Sequence, residues 1–285
     1  MRLQPLAFLA LAALLLGCVN VNWSNQTVSA NISIPLVPIP ENLSVTVSAA
    51  LPGFENATAS PTPEGLAVPD KLTACVFGPR NTATDDLFST ALPRGEKNVS
   101  LEAKWLGNNA KPMDLEGCAL IILNDGGEGR YLDYVPRAAI RQKVLGGSGL
   151  IVSQEAGTLV HDDSAVNGWE YILAGVVPVA LPESPVNLTV NATFVLTAPD
   201  AALDGFAQFN ATGLNVTDIN VGNGETVAMF RTGPYQTSVA YPAVVRGGAG
   251  SGAVYYLSVA PEAAPGVFKA VARFLASDYL DKNFG

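Results

Sequence analysis

Cys118-Ala-Leu-Ile-Ile-Leu-Asn-Asp-Gly-Gly127 opens, and Ser148-Gly-Leu-Ile-Val-Ser-Gln-Glu-Ala-Gly-Thr158 closes, the stretch that decides the fold. Ala119–Leu123 has the length and unbroken apolarity of a strand buried on both faces. Asn124-Asp125-Gly126-Gly127 breaks it. Pro136 suits a first helical position, and Val135, Ala139, Ile140, Val144 and Leu145 form one apolar stripe at helical spacing. Gly146-Gly147 stops that helix, because glycine tolerates the left-handed conformation a helix end requires. Leu150-Ile151-Val152 is the next buried strand. The whole reads as strand–helix–strand, which sets two strands parallel through a right-handed crossover. Ligand sites in such sheets fall at the carboxyl ends of the strands. That directs attention to residues 124–131 and 153–158.

The start of the chain speaks to location. Met1-Arg2 is a short positive leader and Leu6–Leu16 an apolar run too short to span a bilayer. It ends Leu15-Leu16-Gly17-Cys18. This resembles a lipobox, in which Cys18 is lipidated and becomes the new N-terminus. Residues 1–18 are then a lipoprotein signal peptide, and the membrane is a partner through a two-chain anchor at Cys18. An ordinary secretory signal is the blander reading. Asn-X-Ser/Thr occurs at Asn22, Asn25, Asn31, Asn42, Asn56, Asn98, Asn187, Asn191, Asn210 and Asn215, ten of nineteen asparagines. About two would be expected by chance for a two-position acceptor motif. Lipobox and acceptor density together point to a glycosylated archaeal cell-surface lipoprotein, held at the outer face of the cytoplasmic membrane.

Net charge is −9, with 14% charged residues, which argues against a nucleic-acid partner. Three cysteines leave two beyond Cys18. Cys75 and Cys118 fall in strands expected to be neighbours. They could form a disulfide outside the cell or remain buried thiols. No Cys-X-X-Cys or zinc spacing occurs, and no cofactor is expected.

Residues 19–70 read as a Ser/Thr/Pro/Asn-rich tether, with Leu43–Ala50 alternating like a strand. The globular domain is expected over 71–285, long enough for one substantial core. Its expected strands are Lys71–Phe77, Asn98–Trp105, Cys118–Leu123, Gly149–Ser153 and Val176–Leu181. A β-rich stretch follows, with Leu188–Leu196, Glu225–Arg231, Ser238–Val245 and Ala253–Val259. Helices are expected at Thr84–Leu92, Pro136–Leu145, Ala165–Leu173 and Pro265–Tyr279.

The order of elements, the Gly146-Gly147-Ser148-Gly149 approach to a strand, and the ending glycine run–strand–Ala260-Pro261-Glu262–helix resemble the class I glutamine amidotransferase-like superfamily. Its trehalose-utilisation-type and other extracellular members look most similar. The resemblance covers Lys71 to about Asp281. It implies an α/β, flavodoxin-like fold: a mostly parallel central sheet, helices on both faces and some antiparallel additions. Catalytic members carry a nucleophilic cysteine in a tight strand-to-helix turn, Gly-X-Cys-X-Gly, and a late His-Pro-Glu whose histidine activates it. Here the turn is Ser153-Gln154-Glu155-Ala156-Gly157, and Glu155 stands in the nucleophile's place. Ala260 replaces the base, and Glu262 alone matches.

Two functions follow as expectations. The first is a non-catalytic module that binds a glycan or surface protein at a crevice lined by Arg80, Asn124, Asp125, Glu128, Arg130, Gln154 and Glu155. The second is a hydrolase using Glu155, Asp125 and Glu262, with or without a metal held by His161 and Asp162. One imidazole with carboxylates suits a divalent ion, although His-Asp-Asp in a polar loop is more often simply solvated.

Overall fold

A computed structural model describes residues 19–24, 27–32 and 67–284, except 90, 126, 162, 170–171, 183–186 and 234–238. Of 19–32, 127–128 and 164–167 it describes the backbone only. The chain divides into two compact units, Met1–Glu64 and Gly65–Gly285. The expected strand at Leu43–Ala50, Cys18 and the acceptors Asn25, Asn42 and Asn56 lie outside the described residues.

In the first unit β1 (Val19–Ser24) and β2 (Thr27–Ile32) pair antiparallel, Val19 opposite Ile32. This part of the expected tether is therefore a hairpin. Its sequence alternates apolar and polar residues, Val-Asn-Val-Asn against Val-Ser-Ala-Asn, which is the strand period.

The second unit holds β3 (Lys71–Phe77), α1 (Thr82–Phe88), β4 (Leu92–Arg94), β5 (Lys97–Leu106) and β6 (Cys118–Leu123). Then come α2 (Tyr134–Leu145), β7 (Gly149–Ser153), β8 (Leu159–Val160), β9 (Asp163–Asn167) and β10 (Val179–Ala180). The rest is β11 (Asn187–Leu196), β12 (Phe209–Thr217), β13 (Asn220–Val221), β14 (Glu225–Thr232), β15 (Val239–Ala249), β16 (Gly252–Leu257) and α3 (Pro265–Phe284).

Ten of these strands form one sheet in the order β12-β11-β14-β15-β16-β7-β6-β3-β5-β4. The four central pairings, β16–β7, β7–β6, β6–β3 and β3–β5, are parallel. The other five are antiparallel. The fold is thus α/β with a parallel core, but the sheet is mixed where a mostly parallel one was expected. The reason lies in the connections. The parallel partners of the core are never consecutive strands of the chain joined by a hairpin. Around them β4–β5, β11–β12, β14–β15 and β15–β16 each join strands that follow one another directly without a crossover, and such connections give antiparallel pairing. β14 returns past β12 to pair antiparallel with β11.

Central strands are buried along their whole length, β6 and β7 without a break. Alternate residues enter two different cores, as the strand period requires. Ala74, Val76, Leu120 and Ile122 pack with Ala83 and Leu87 of α1 and with Val267, Phe268, Val271 and Leu275 of α3. Cys75, Phe77, Ile121 and Leu123 pack with Ala139, Ile140 and Val144 of α2.

The helix stop at Gly146-Gly147 forms as expected. Gly147 has φ +111°, its amide donates to Val144 O, and Ser148 N donates to Lys143 O. Those bonds satisfy the last carbonyls of α2. Cys75 and Cys118 are joined by a disulfide, with Cα atoms 5.7 Å apart, which resolves the open alternative.

Two expected helices are corrected. The described residues of Ala165–Leu173 form no helix: β9 pairs with β8, and turns follow from Ile172. Asn167-Gly168 within the segment weakens any helical preference, glycine most of all. The expected Thr84–Leu92 helix begins two residues earlier and stops at Phe88, because Asn81 caps it: its Oδ1 accepts from Thr84 N at 2.8 Å, and Thr84 Oγ1 accepts from Asn81 N at 3.2 Å. Val176–Leu181 shrinks to the two residues of β10. Among the described residues no helix is long and apolar enough to cross a membrane.

Candidate functional site

The carboxyl ends of β3, β6, β7 and β16 lie side by side, and hydrogen bonds tie the loops that leave them. Asn124 N donates to Phe77 O at 2.9 Å, and Gln154 N to Leu257 O at 2.8 Å. Ser153 Oγ donates to Leu123 O at 3.2 Å and accepts from Asp125 N at 3.1 Å. Asn124 is fully buried, and its Nδ2 donates to Pro79 O at 2.9 Å. Gly129 presses on it so closely that an added Cβ would come to 2.1 Å from Asn124 O. Since both partners there are backbone, Gly129→Ala should destabilise the protein by about 1–3 kcal/mol, the usual cost of overpacking. Urea unfolding of the full chain checks this.

The turn after β7 carries the strain of the site. Gln154 has φ +49°, and it is the one non-glycine residue with positive φ among those described. Such a conformation is uncommon outside glycine and costs roughly 1–3 kcal/mol. A nucleophile elbow places its reactive residue at such a strained position after a strand. Gln154 has this conformation, and Glu155, expected in the nucleophile's place, is the next residue. The Gln154 amide is tied down, with Nε2 donating to Asn215 O at 3.0 Å. The turn also leads into β8 rather than a helix.

Glu155 and Asp125 are nonetheless brought together, and Arg130 does it. Arg130 Nε and Nη2 donate to Asp125 Oδ1 and Oδ2 at 3.1 and 3.4 Å, while Nη1 lies 3.0 Å from Glu155 Oε2. The Asp125 and Glu155 side chains are only 5% and 11% exposed. Partial burial works against the Arg130 charge, but the two carboxylates outweigh it and raise its pKa. The other Glu155 oxygen accepts from Asn187 Nδ2 at 2.8 Å, and Asn187 Oδ1 accepts from Thr217 Oγ1 at 2.7 Å.

Tyr256 is fully buried and couples electrostatically to these carboxylates. Burial pushes its phenol well above the usual range, and the Glu155 and Asp125 charges push it further. A phenol whose folded pKa lies above its unfolded value, near 10, favours the fold below that pH and stops doing so as pH rises through the folded value. Stability should therefore fall from about pH 10 upward, and Tyr256→Phe should flatten that fall. Urea unfolding across alkaline pH reads it directly.

The remaining expected site residues lie elsewhere. Arg80 Nε donates to Asp85 at 2.8 Å with both side chains well exposed. Glu262 accepts from Asn81 Nδ2 at 2.9 Å and so braces the cap of α1. His161 stacks on Tyr131, ring centroids 4.4 Å apart, and its ring nitrogens lie 3.4 Å from Asp133 Oδ1 and from Asn108 Nδ2. None of those partners belongs to the Arg130 network. Asp162 and the Glu128 side chain lie outside the described residues, and Asp163 accepts from Tyr134 OH at 2.6 Å. Among the described residues no cluster of three His, Cys, Asp or Glu side chains is arranged to hold a metal ion.

Asn187, Thr217 and Tyr256 join the site without having been singled out for it. Asn187 is legible in the sequence only as a glycosylation acceptor, and the other two only as strand residues. Their placement depends on which strands neighbour β7, and the sequence does not carry that order.

No protein-family profile and no curated protein matches this sequence. Solved structures do resemble the fold. A β-galactosidase from Bacillus circulans sp. alkalophilus matches 75% of this chain at 14% identity and TM-score 0.52. A cold-adapted β-galactosidase from Rahnella sp. R3 matches 74% at 17% identity and TM-score 0.52. This chain spans about 31% of the length of each. At such identities the likeness is one of fold alone. A protein described as ThuA-like from Bacteroides uniformis aligns over 75% of this chain and 92% of its own length, at 12% identity and TM-score 0.49.

Proposed function

We propose that this is a lipid-anchored, glycosylated cell-surface protein whose domain is a non-catalytic, amidotransferase-like and flavodoxin-like scaffold that holds a glycan or a partner protein at its crevice. One observation carries the reading: Arg130 lies across Asp125 and Glu155 beside the strained turn, where a catalytic relative would keep a free nucleophile. The residue on that turn is a tethered amide, Gln154. Cys75 and Cys118 are consumed in a disulfide, and His161 is engaged elsewhere. That leaves thiol-dependent amide hydrolysis without either of its working groups among the described residues.

Support for the location comes from the leader ending at Cys18, the dense acceptor sites and the disulfide, a bond that persists in oxidising compartments. Carboxylate-dependent hydrolysis is the competing reading. It requires two carboxyls in unlike environments, one to give a proton and one to take it, whereas Arg130 bonds both carboxylates alike.

The test is a glycan-array and divalent-metal screen on the full chain in detergent. The expected result is saturable glycan binding that Glu155→Ala abolishes. Absence of binding to every glycan would remove the glycan half of the proposal and leave the partner protein. Metal-dependent turnover would overturn it.

A further inference from the structure

The acceptor asparagines of the folded unit are not scattered. Asn98 lies on β5, in the hairpin that ends the sheet on one side. Asn187, Asn191, Asn210 and Asn215 lie on β11 and β12, the hairpin that ends it on the other. All five are exposed. On the second hairpin Val190, Ala192, Phe194, Ala211, Leu214 and Val216 take the core side. The asparagines take the opposite side, so bulky sugars on Asn191 and Asn210 would cover a sheet end and its unpaired edge without touching that core. Natural sheets protect such edges against pairing with other chains.

The four acceptors on β11 and β12 are not equivalent. Asn187 and Thr217 face each other directly in the ladder. Thr217 is fully buried, and its hydroxyl donates to Asn187 Oδ1 at 2.7 Å. Asn187 Nδ2 in turn donates to the buried Glu155 carboxylate at 2.8 Å. Asn187 is the acceptor of one motif, Asn187-Leu-Thr189. Thr217 is the hydroxyl of another, Asn215-Val-Thr217. By contrast, Asn191 Oδ1 accepts from Gly213 N at 2.8 Å, and its Nδ2 is left to solvent. Asn210 Oδ1 accepts from Thr193 in an exposed bond, and Thr212 is exposed.

We infer that this single Asn187–Thr217 pair closes two of the glycosylation sites, so that Asn98, Asn191 and Asn210 carry N-glycans while Asn187 and Asn215 do not. This rests on the proposed surface location. In the transfer, Asn Nδ2 loses a proton and bonds to the anomeric carbon of the sugar. The sugar–phosphate bond of a lipid-linked oligosaccharide donor breaks, and the lipid phosphate leaves. At Asn187 that nitrogen is committed to Glu155. At Asn215 the hydroxyl that completes the motif is out of reach of a transferase.

The test is site-resolved glycopeptide mass spectrometry of the full chain purified from membranes of an N-glycosylating cell. Two synthetic peptides spanning residues 184–192 and 212–219 are offered to the same transferase. The expected result is sugar on Asn98, Asn191 and Asn210 in most copies and on Asn187 and Asn215 in few or none, with both free peptides modified. Occupancy at Asn187 or Asn215 equal to that at Asn191 overturns the inference, and so do peptides that stay unmodified, since the closure would then not come from the fold. Sugar on neither the domain nor the first-unit sites Asn22 and Asn31 overturns both this and the glycosylated surface reading. Sugar on those two alone overturns only this inference.

Discussion

Replacing both Cys75 and Cys118 with alanine should lower the unfolding free energy by about 4 kcal/mol, the chain-entropy value for a bond closing a loop of this length. The two residues are 43 positions apart in sequence. They sit on adjacent parallel strands, β3 and β6, at the centre of the sheet. Thr73 lies opposite Cys118, and the ladder then skips a residue so that Ala74 faces Leu120. That irregularity sets Cys75 and Cys118 within the Cα range a disulfide needs. Both are essentially dry, at 0% and 2% exposed. The bond ties the amino-terminal strand of the domain to the strand that begins the crossover unit. Urea unfolding of the two full-length proteins gives the difference. A loss under about 1 kcal/mol would mean that the unfolded chain is already constrained over this loop.

The second large effect belongs to Arg130→Met, which keeps an apolar stem and removes the charge. Stripping one partner from a buried ion pair typically costs about 3–5 kcal/mol. Arg130 is 37% exposed, so water already screens part of the attraction. A loss of about 2–3 kcal/mol at pH 7 is the reasonable expectation. A second substitution identifies the cause: adding Glu155→Gln removes one of the stranded charges and should recover part of the loss. A loss that Glu155→Gln leaves unchanged would show lost packing rather than lost charge compensation. Urea unfolding of the three full-length proteins reads the difference.

How much of this was readable in advance depends on whether the governing interactions were local. The crossover unit from Cys118 to Thr158 was readable because its signals are short-range. They are an unbroken apolar run, a helical stripe and the Gly146-Gly147 stop. β3, β6 and β7 lie where the pattern placed them. The β-rich second half was readable as strands but not as a sheet order. Nothing in Leu188–Leu196 states that it pairs with both β12 and β14. β12 itself was missed, since Phe209–Thr217 contains a glycine and only weak alternation. The Ala165–Leu173 segment holds one alanine and one leucine beside Val166, Asn167 and Gly168, so its helical preference is weak and tertiary context overrides it.

At the carboxyl ends of β6 and β7, the sequence placed Asp125, Arg130 and Glu155 close together. It did not show that Arg130 would bind both carboxylates, which requires a turn of chain between 125 and 130 to fold back. Nor did it show that the strained residue is Gln154 rather than Glu155, because a left-handed φ at glutamine leaves no mark in composition.

The central claim is the proposal that Arg130, by bonding both Asp125 and Glu155, leaves this site for binding rather than hydrolysis. The most direct measurement is turnover by the full chain on a panel of glutamine, peptide-amide, ester and chromogenic glycoside substrates, run beside Glu155→Gln and Asp125→Asn. The account predicts no turnover above buffer in any of the three proteins. Turnover in the parent that either substitution abolishes would contradict it.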